Sequence, residues 1–329
     1  MKRILVTDYT WKSTDIEAQV VAEAGAQLIE ARSGEEEELL ELVRDADAIL
    51  TCFAQVPASV IRAGAKLQVI GRYGIGVDNI DVGVATELGI PVTNVPAYCL
   101  DEVAEHAMAL LLACARNICR YTRAVRAGEW SLSAGAPMYR VSGRTLGILG
   151  FGKIGQTLAA KAVAFGLQVI AHDPFVSQDV AGGLGVELVD LDAILTRADF
   201  LSIHLPLSAE TRGLVDAGRL RQMKSTSVVI NTARGPIIDQ DALTRALEDG
   251  WIAGAGLDVF EEERLPAGHP LLSLPNVVTT PHVAFYSEES LIDLRTLAAR
   301  NVAMVLAGRR PAWIVNPAVL NLPRWAHLE

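Results

Sequence analysis

A glycine-rich hexapeptide, Gly150-Phe151-Gly152-Lys153-Ile154-Gly155, lies near the middle of this 329-residue chain. An apolar run at 145–149 precedes it and a helix-forming segment at 156–160 follows it, so the order is strand, G-x-G-x-x-G, helix. The first glycine of such a turn permits a tight bend, the second lets backbone N–H groups approach a pyrophosphate, and the third lets helix pack on strand. The motif therefore predicts that these six residues bind a dinucleotide.

An acidic residue at the end of the next apolar run specifies the cofactor further. Residues 168–172 form that run, and Asp173 follows it, 18 residues after Gly155. An acid at this place accepts hydrogen bonds from the adenosine ribose. It would also repel a 2′-phosphate, and residues 174–176 supply no arginine to bind one. The pattern therefore predicts NAD(H), preferred over NADP(H).

Length and charge limit the remaining possibilities. A chain of 329 residues, half of them apolar, favours two domains with separate cores. The net charge of −10 opposes binding to nucleic acid or to anionic membranes. No signal peptide or membrane-spanning run is evident, and the four cysteines lack metal-ligand spacing. We expect a cytoplasmic protein with no metal, no nucleic acid partner and no membrane partner.

The chain alternates between strand-like and helix-like segments in two series. One series occupies the first hundred residues and the other begins at Thr145. Such alternation predicts an α/β fold of two Rossmann-like or flavodoxin-like doubly wound parallel sheets, with a cleft between the domains. A long apolar helix is predicted from about Leu100 to Gly128, and another helix from Glu288 to Leu306. The expected boundaries are 1–97 plus 287–329 for a discontinuous substrate-binding (catalytic) domain and 98–286 for the NAD-binding domain.

Three predicted strands of the second series end in polar residues. Arg234, Asp258 and His282 each follow such a strand. Ligands of open α/β sheets bind beyond the carboxyl ends of the strands, so these side chains are expected beside the nicotinamide. Histidine can remove a hydroxyl proton near neutral pH, a carboxylate can fix its tautomer, and arginine can bind a carboxylate with two N–H groups.

Each candidate has a simpler interpretation. Arg234 could form a surface ion pair, Asp258 could cap the following segment, and any one of the acids at 261–263 is by itself a solvated residue. A lone histidine is usually structural. On that basis His269 and His327 are dismissed, and three others are interpreted as packing residues or as residues just behind the site: His106, His172 and His204.

The motifs together resemble the D-isomer-specific 2-hydroxyacid dehydrogenase family over nearly the whole chain. The segments that carry the resemblance are 71–81, 103–106, 150–155, 204–207, 231–235, 256–260 and 280–282. It implies a catalytic trio of Arg234, Glu263 and His282, acting on a small 2-hydroxy or 2-keto acid. It also implies a homodimer, formed through the long helix and its surroundings.

The resemblance extends to the residues around the trio. Cofactor contacts are implied, beyond the glycine turn and Asp173, at His204, Pro206, Thr211, Thr232, Ala233 and Asp258. Substrate contacts are implied at Tyr73, Gly74, Ile75 and Gly76, whose backbone N–H groups resemble a carboxylate-binding loop, and at Arg234, His282 and Phe285.

Two branches of the family are the nearest resemblances, and they leave two functions open. The stretch 281–289 resembles the C-terminal-binding-protein branch, and 72–79 the phosphoglycerate dehydrogenases. Phe285 stands where the first branch commonly has Trp, Arg264 replaces the usual Pro, and we expect no regulatory extension of the kind that many phosphoglycerate dehydrogenases carry. Glu263 argues against formate dehydrogenase, which has glutamine there. The main hypothesis is a dehydrogenase; the alternative is an NAD(H)-sensing oligomeric binding protein with little turnover.

Overall fold

A computed structural model describes residues 1–325, which form two compact units. One unit combines Met1–Tyr98 with the segment from Ser287 onward, and the other is the continuous segment Cys99–Tyr286. His327 lies outside the described residues. No helix within residues 1–325 has the length and apolar character that crossing a bilayer requires.

The first unit contains a five-stranded parallel sheet in the order β2-β1-β3-β4-β5. Its strands are β1 (Lys2–Val6), β2 (Ala26–Glu30), β3 (Ala48–Thr51), β4 (Val69–Arg72) and β5 (Val92–Thr93). Its α-helices are Asp15–Ala22, Glu36–Leu42, Ala58–Ala63, Val82–Glu87 and Glu288–Leu306, with 3₁₀ turns at Val43–Asp45, Pro317–Asn321 and Pro323–Trp325.

The sheet of the first unit is buried on both faces. Ile4 and Val6 belong to the core on one face, and Leu5 belongs to the core on the other, as expected from side chains that alternate along a strand. The Glu288–Leu306 helix contributes Leu294 and Val302 to the first of these cores. Two-sided burial explains why the strands are almost continuously apolar.

The second unit contains a seven-stranded parallel sheet in the order β12-β11-β10-β9-β6-β7-β8. Its strands are β6 (Thr145–Leu149), β7 (Gln168–His172), β8 (Glu187–Leu188), β9 (Phe200–Ile203), β10 (Val228–Asn231), β11 (Gly254–Leu257) and β12 (Val277–Thr279). The strand order reverses between β6 and β9, and such a switch point is where dinucleotides bind in this type of sheet.

Helices cover both faces of this sheet and enclose two apolar cores. The α-helices are Leu100–Ala115, Ile118–Arg126, Lys153–Ala164, Gln178–Gly182, Leu191–Arg197, Ala217–Gln222, Gln240–Glu248 and Pro270–Ser273, with 3₁₀ turns at Leu132–Gly135 and Gly235–Ile237. The predicted fold class, two doubly wound parallel-sheet α/β domains, is confirmed.

The single long helix predicted from Leu100 to Gly128 is wrong. The first helix ends at Ala115, and a second begins at Ile118. Asn117 between them has φ 49° and ψ 36°, a left-handed conformation that interrupts the α-helix. Its amide Nδ2 donates to the carbonyl of Gly135 at 2.6 Å, so a contact distant in sequence stabilises the break.

Candidate active site

The glycine turn fits closely against the chain that leaves β9. Gly150 has φ +89°, and a Cβ at this position would lie 2.7 Å from the carbonyl oxygen of His204. A Cβ at Gly155 would lie 2.5 Å from the carbonyl oxygen of Gly150. The first and third glycines are therefore required by conformation and by packing, and they bring the turn to the sheet's switch point.

Gly152 has a different environment. It is the N-cap of the Lys153–Ala164 helix, with no side-chain cap, and a Cβ here would meet no atom within 4 Å. The first N–H groups of a helix lack intrahelical partners and attract anions. Open space beside them is what a pyrophosphate needs, so the turn fits the dinucleotide that its sequence predicts.

Asp173 follows β7 and faces the glycine turn. Its Oδ2 accepts the N–H of Phe151 at 2.8 Å, and its Oδ1 accepts the N–H of Phe175 at 2.9 Å. Each oxygen keeps a second lone pair, because a carboxylate has about four acceptor sites. Asp173 is thus fixed beside the turn, and each of its oxygens can still accept a hydrogen bond from a ribose hydroxyl.

The segment after β9 carries three more predicted cofactor residues. Nε2 of His204 lies 2.8 Å from Oγ of Ser202, and burial lowers the pKa of His204 to about 4. The hydroxyl of Thr211 donates to the carbonyl of Pro206 at 2.6 Å. This hydrogen bond closes the 206–211 loop directly after the switch point.

The register of the sheet brings the ends of β10, β11 and β12 together. Asn231 pairs with Leu257, and Leu257 pairs with Thr279. Arg234 and His282 each lie three residues beyond these aligned positions, on strands separated by only one other. Neighbouring strands are about 4.8 Å apart, so both residues leave the sheet within roughly 10 Å of each other.

The turn after β10 holds Arg234. Its Nη1 donates to the carbonyl of Ala233 at 2.7 Å. Asn231 accepts the N–H of Ala233 at 3.0 Å and donates to the carbonyl of Arg234 at 2.9 Å. A Cβ at Gly235 would lie 1.9 Å from the backbone of Phe260, which explains the Arg-Gly pair. The hydroxyl of Thr232 is buried and has no hydrogen-bond partner within residues 1–325, and a bound ligand would satisfy it.

The predicted acid–base pair is in contact. Nδ1 of His282 lies 2.9 Å from both Oε1 and Oε2 of Glu263. The histidine side chain is 19% exposed and the glutamate side chain 50%. The ring of Phe285 meets the imidazole edge to face, with 6.3 Å between centroids. An ionised carboxylate only accepts, so Nδ1 is the donor and carries a proton.

Asp258 is fully buried and contacts the loop that carries His282. Its carboxylate accepts the hydroxyl of Thr280 at 2.6 Å and the N–H groups of Val283 and Ala284 at 3.0 and 2.8 Å. The observed contacts are therefore with the loop after β12. Asn231 and Thr280 were not among the site residues predicted from the sequence, although Asn and Thr at a strand end are typical turn-forming residues.

The predicted carboxylate-binding loop lies in the first unit, after β4. Arg72 Nη1, the N–H of Val95 and Nδ2 of Asn94 bind the carbonyls of Tyr73, Gly74 and Ile75, respectively. In a trans peptide the following N–H points away from the carbonyl. The N–H groups of residues 74–76 have no partner in the described chain, so they are available to an anion.

Metal-ligating side chains and thiols are dispersed among residues 1–325. No group of three or more His, Cys, Asp or Glu side chains is arranged to hold a metal ion there. None of the four cysteines forms a disulfide, and burial raises the pKa of Cys52 and Cys114 to about 12. Thiols with such pKa values are poor nucleophiles at neutral pH.

Comparison with known proteins identifies the family. Residues 108–284, more than half of the chain, match the family model described as "D-isomer specific 2-hydroxyacid dehydrogenase, NAD binding domain". The chain belongs to the D-isomer-specific 2-hydroxyacid dehydrogenase family. The family predicted from sequence is thus confirmed, and with it an NAD-dependent oxidoreductase acting on small 2-hydroxy or 2-keto acids.

Individual 2-hydroxyacid dehydrogenases resemble most of the chain. A glyoxylate reductase of Korarchaeum cryptofilum is 42% identical over 289 residues, covering 86% of this chain and 87% of the relative. A D-3-phosphoglycerate dehydrogenase of Methanocaldococcus jannaschii is 41% identical over 329 residues, covering 98% of this chain but 61% of that longer protein. An NADPH-dependent glyoxylate/hydroxypyruvate reductase from Sinorhizobium meliloti, solved with NADP and malonate, superposes with a TM-score of 0.82 at 31% identity, covering 96% of this chain and 97% of that one.

Proposed function

We propose that this dehydrogenase reduces a small 2-keto acid to the 2-hydroxy acid, the D isomer wherever C2 is a stereocentre, with NADH, using Arg234, Glu263 and His282. The observation that carries the proposal is the contact of His282 Nδ1 with both oxygens of Glu263, each at 2.9 Å. This contact supports an acid–base role because it fixes the tautomer and stabilises the imidazolium.

The trio divides the work of the reaction. Arg234 binds the substrate carboxylate through paired N–H groups and polarises the neighbouring carbonyl. The protonated imidazole of His282 donates its Nε2 proton to the developing alkoxide, and Glu263 holds the ring in place. In the oxidative direction the neutral imidazole accepts the hydroxyl proton. The bound nicotinamide supplies or accepts the hydride.

The cofactor is held, in this proposal, by the turn Gly150–Gly155 and by Asp173. The 204–211 loop, Thr232, Ala233 and Asp258 are assigned to the nicotinamide side. NAD(H) is preferred over NADP(H), because Asp173 is an anion at the 2′-position and no basic residue occupies 174–176. The relative from Sinorhizobium meliloti is NADPH-dependent. The ratio of kcat/KM for NADH and NADPH therefore tests the preference of this chain.

Substrate recognition is assigned to Arg234, His282 and Phe285 of the NAD-binding domain, 98–286. It is also assigned to the loop 73–76, which belongs to a substrate-binding domain built from 1–97 and 287–329. Glyoxylate is our first candidate substrate, because proteins named glyoxylate reductase are among the relatives that match most of their own length. D-3-phosphoglycerate is the second candidate, through a relative of which the chain covers 61%. We further propose that the active species is a cytoplasmic homodimer.

Steady-state assays test the proposal directly. NADH oxidation is measured with glyoxylate, pyruvate, hydroxypyruvate and longer 2-keto acids, and NAD reduction with D-3-phosphoglycerate. We expect turnover of at least one acid and a loss of about 100- to 10,000-fold in kcat/KM for His282→Ala. Glu263→Gln should also lose activity, whereas Glu262→Gln, one residue away and exposed, is the matched control.

Two results would overturn this assignment: no turnover on the whole panel, or equal activity of wild type and His282→Ala. The alternative, an NAD(H)-sensing binding protein, would instead give a nucleotide-dependent change of oligomeric state without turnover. The intact Glu263–His282 contact favours the enzyme, since binding of the nucleotide alone does not require a paired acid–base residue.

A further inference from the structure

The backbone of His282 adopts a conformation that few residues other than glycine tolerate. Its φ is 55°, and Asn117 is the one other non-glycine residue with positive φ in the described chain. Such a conformation persists only where surrounding contacts hold it, and it is common at functional sites. The contacts that hold this loop therefore help to determine the orientation of the His282 imidazole.

Asp258 binds the loop at four positions. Besides its three carboxylate contacts with Thr280, Val283 and Ala284, its backbone carbonyl accepts the N–H of His282 at 2.8 Å. A buried carboxylate needs such donors, because burying an unpaired charge is costly. Asp258 is thus the immediate anchor of the loop that carries the histidine.

A second histidine extends this network to a helix that packs against the sheet with one face. Nε2 of His106 lies 2.8 Å from Oγ1 of Thr280 and 3.6 Å from Oδ1 of Asp258. Threonine has one hydroxyl proton, and it is donated to the Asp258 carboxylate. Nε2 of His106 must therefore carry a proton and donate it to Thr280.

The helix behind His106 provides a rigid base. It spans Leu100–Ala115 and buries Val103, Ala107 and Leu110 on either side of the histidine in sequence. A chain of hydrogen bonds thus runs from this helix through His106, Thr280 and Asp258 to the loop after β12. Packing alone would be served by an apolar side chain at position 106, whereas the observed contact needs a donor.

We propose that His106 and Thr280 are positioning residues for the catalytic histidine. They restrain the Asp258 carboxylate and so keep His282 in the left-handed conformation in which its Nδ1 meets Glu263. The inference rests on the proposed function, because the orientation of the His282 imidazole matters only if that ring transfers the proton.

Matched pairs of variants test the two residues. Thr280→Val removes the hydroxyl at nearly constant volume, and Thr280→Ser retains it; His106→Leu removes the donor, and His106→Gln offers an amide N–H. We expect Thr280→Val and His106→Leu to lower kcat about five- to tenfold, as one lost hydrogen bond implies, with the Kd for NADH changed less than about twofold. The Ser and Gln variants should recover most of the lost activity.

Amide hydrogen exchange gives a readout independent of turnover. In Thr280→Val and His106→Leu, the peptide covering 278–286 should exchange faster, while thermal unfolding by circular dichroism verifies that each variant is folded. Unchanged kcat in both variants overturns the inference, even if exchange is faster, since the hydroxyl and the imidazole would then anchor the loop without aiming the histidine. If His282→Ala is inactive and these variants are normal, only the inference fails. If the wild type turns over no acid, the proposed function fails, and exchange alone decides whether the two residues hold the loop.

Discussion

His204 couples the stability of the second unit to pH. Burial lowers its pKa from 6.5 to about 4, so the folded state resists protonation that the unfolded state accepts. The stability contribution is complete above pH 6.5 and is lost as the pH falls toward 4. The neutral imidazole of His204 can still form its hydrogen bond with Oγ of Ser202.

We predict that replacing His204 reduces this sensitivity to acid. Between pH 7.5 and 5 the wild type should lose about 2 kcal/mol of unfolding free energy through this residue, and His204→Gln should lose correspondingly less. Urea unfolding at both pH values measures the difference. His172→Gln, at the end of β7, is the control, and parallel pH dependence of wild type and His204→Gln would contradict the assignment.

Asp173 should determine the cofactor preference. Asp173→Asn retains an acceptor for the N–H of Phe175 but removes the charge, and Phe175→Arg places a cation on a side chain that is 95% exposed. The double variant should shift the ratio of kcat/KM for NADH and NADPH about tenfold or more toward NADPH, equivalent to about 1.4 kcal/mol. Equal use of both cofactors by the wild type would show that the carboxylate does not discriminate.

The grouping of single site residues could be predicted from the sequence because of a general property of parallel sheets. Arg234 and His282 could be grouped because their strands end at the same edge, and the Glu263–His282 contact followed from the family resemblance. The positive φ of His282 and the hydrogen bond of His106 to Thr280 could not be predicted, since both depend on how a helix 174 residues away in sequence packs.

We expect two glycines of the Gly150–Gly155 turn to have different roles, Gly152 in cofactor binding and Gly155 in packing. Gly152→Ala introduces a Cβ into open space at an ordinary φ of −70°, so we expect normal thermal stability but an NADH Kd at least about tenfold higher. Gly155→Ala should instead be destabilised by more than about 1 kcal/mol, because its Cβ would collide with the carbonyl of Gly150.

Isothermal titration and thermal unfolding of both variants measure these effects. Gly182→Ala, in a short helix with its nearest atom at 3.8 Å, is the control for a glycine away from the site. Unchanged NADH affinity in Gly152→Ala would mean that the pyrophosphate does not lie at this turn.

Element boundaries were predictable where apolar runs are long and bounded by turn residues. β6 and β7 coincide with the apolar runs at 145–149 and 168–172, and the Glu288–Leu306 helix has its predicted bounds. The two-residue strands β5 and β8 are too short to produce a pattern. The helix break at Asn117 depends on its contact with Gly135, which periodicity cannot reveal.

For the whole molecule, exposed apolar side chains concentrate in one segment. Between 117 and 139, Trp130 is 85% and Leu132 81% exposed, and Ile118 and Val125 are also exposed. Large apolar residues clustered on a surface are typical of protein interfaces. This is where we expect the proposed homodimer to form.

Light scattering after size exclusion tests the dimer. Wild type should have the mass of two chains, and the double variant Trp130→Ser, Leu132→Ser should shift to the mass of one. Phe175→Ser, which removes an aromatic ring that is 95% exposed elsewhere, should leave the mass unchanged. A wild-type monomer, or a double variant that stays dimeric, would be inconsistent with this interface.

The Glu288–Leu306 helix completes the core of a unit whose sheet is made from the first hundred residues. Arg295 in this helix pairs with buried Glu17 at 2.9 and 2.7 Å, across 278 residues of sequence. During synthesis the whole Cys99–Tyr286 unit is made before this partner. We therefore expect the NAD-binding unit to fold first, while one apolar face of the N-terminal sheet stays uncovered, and docking of this helix to be the slow, non-local step.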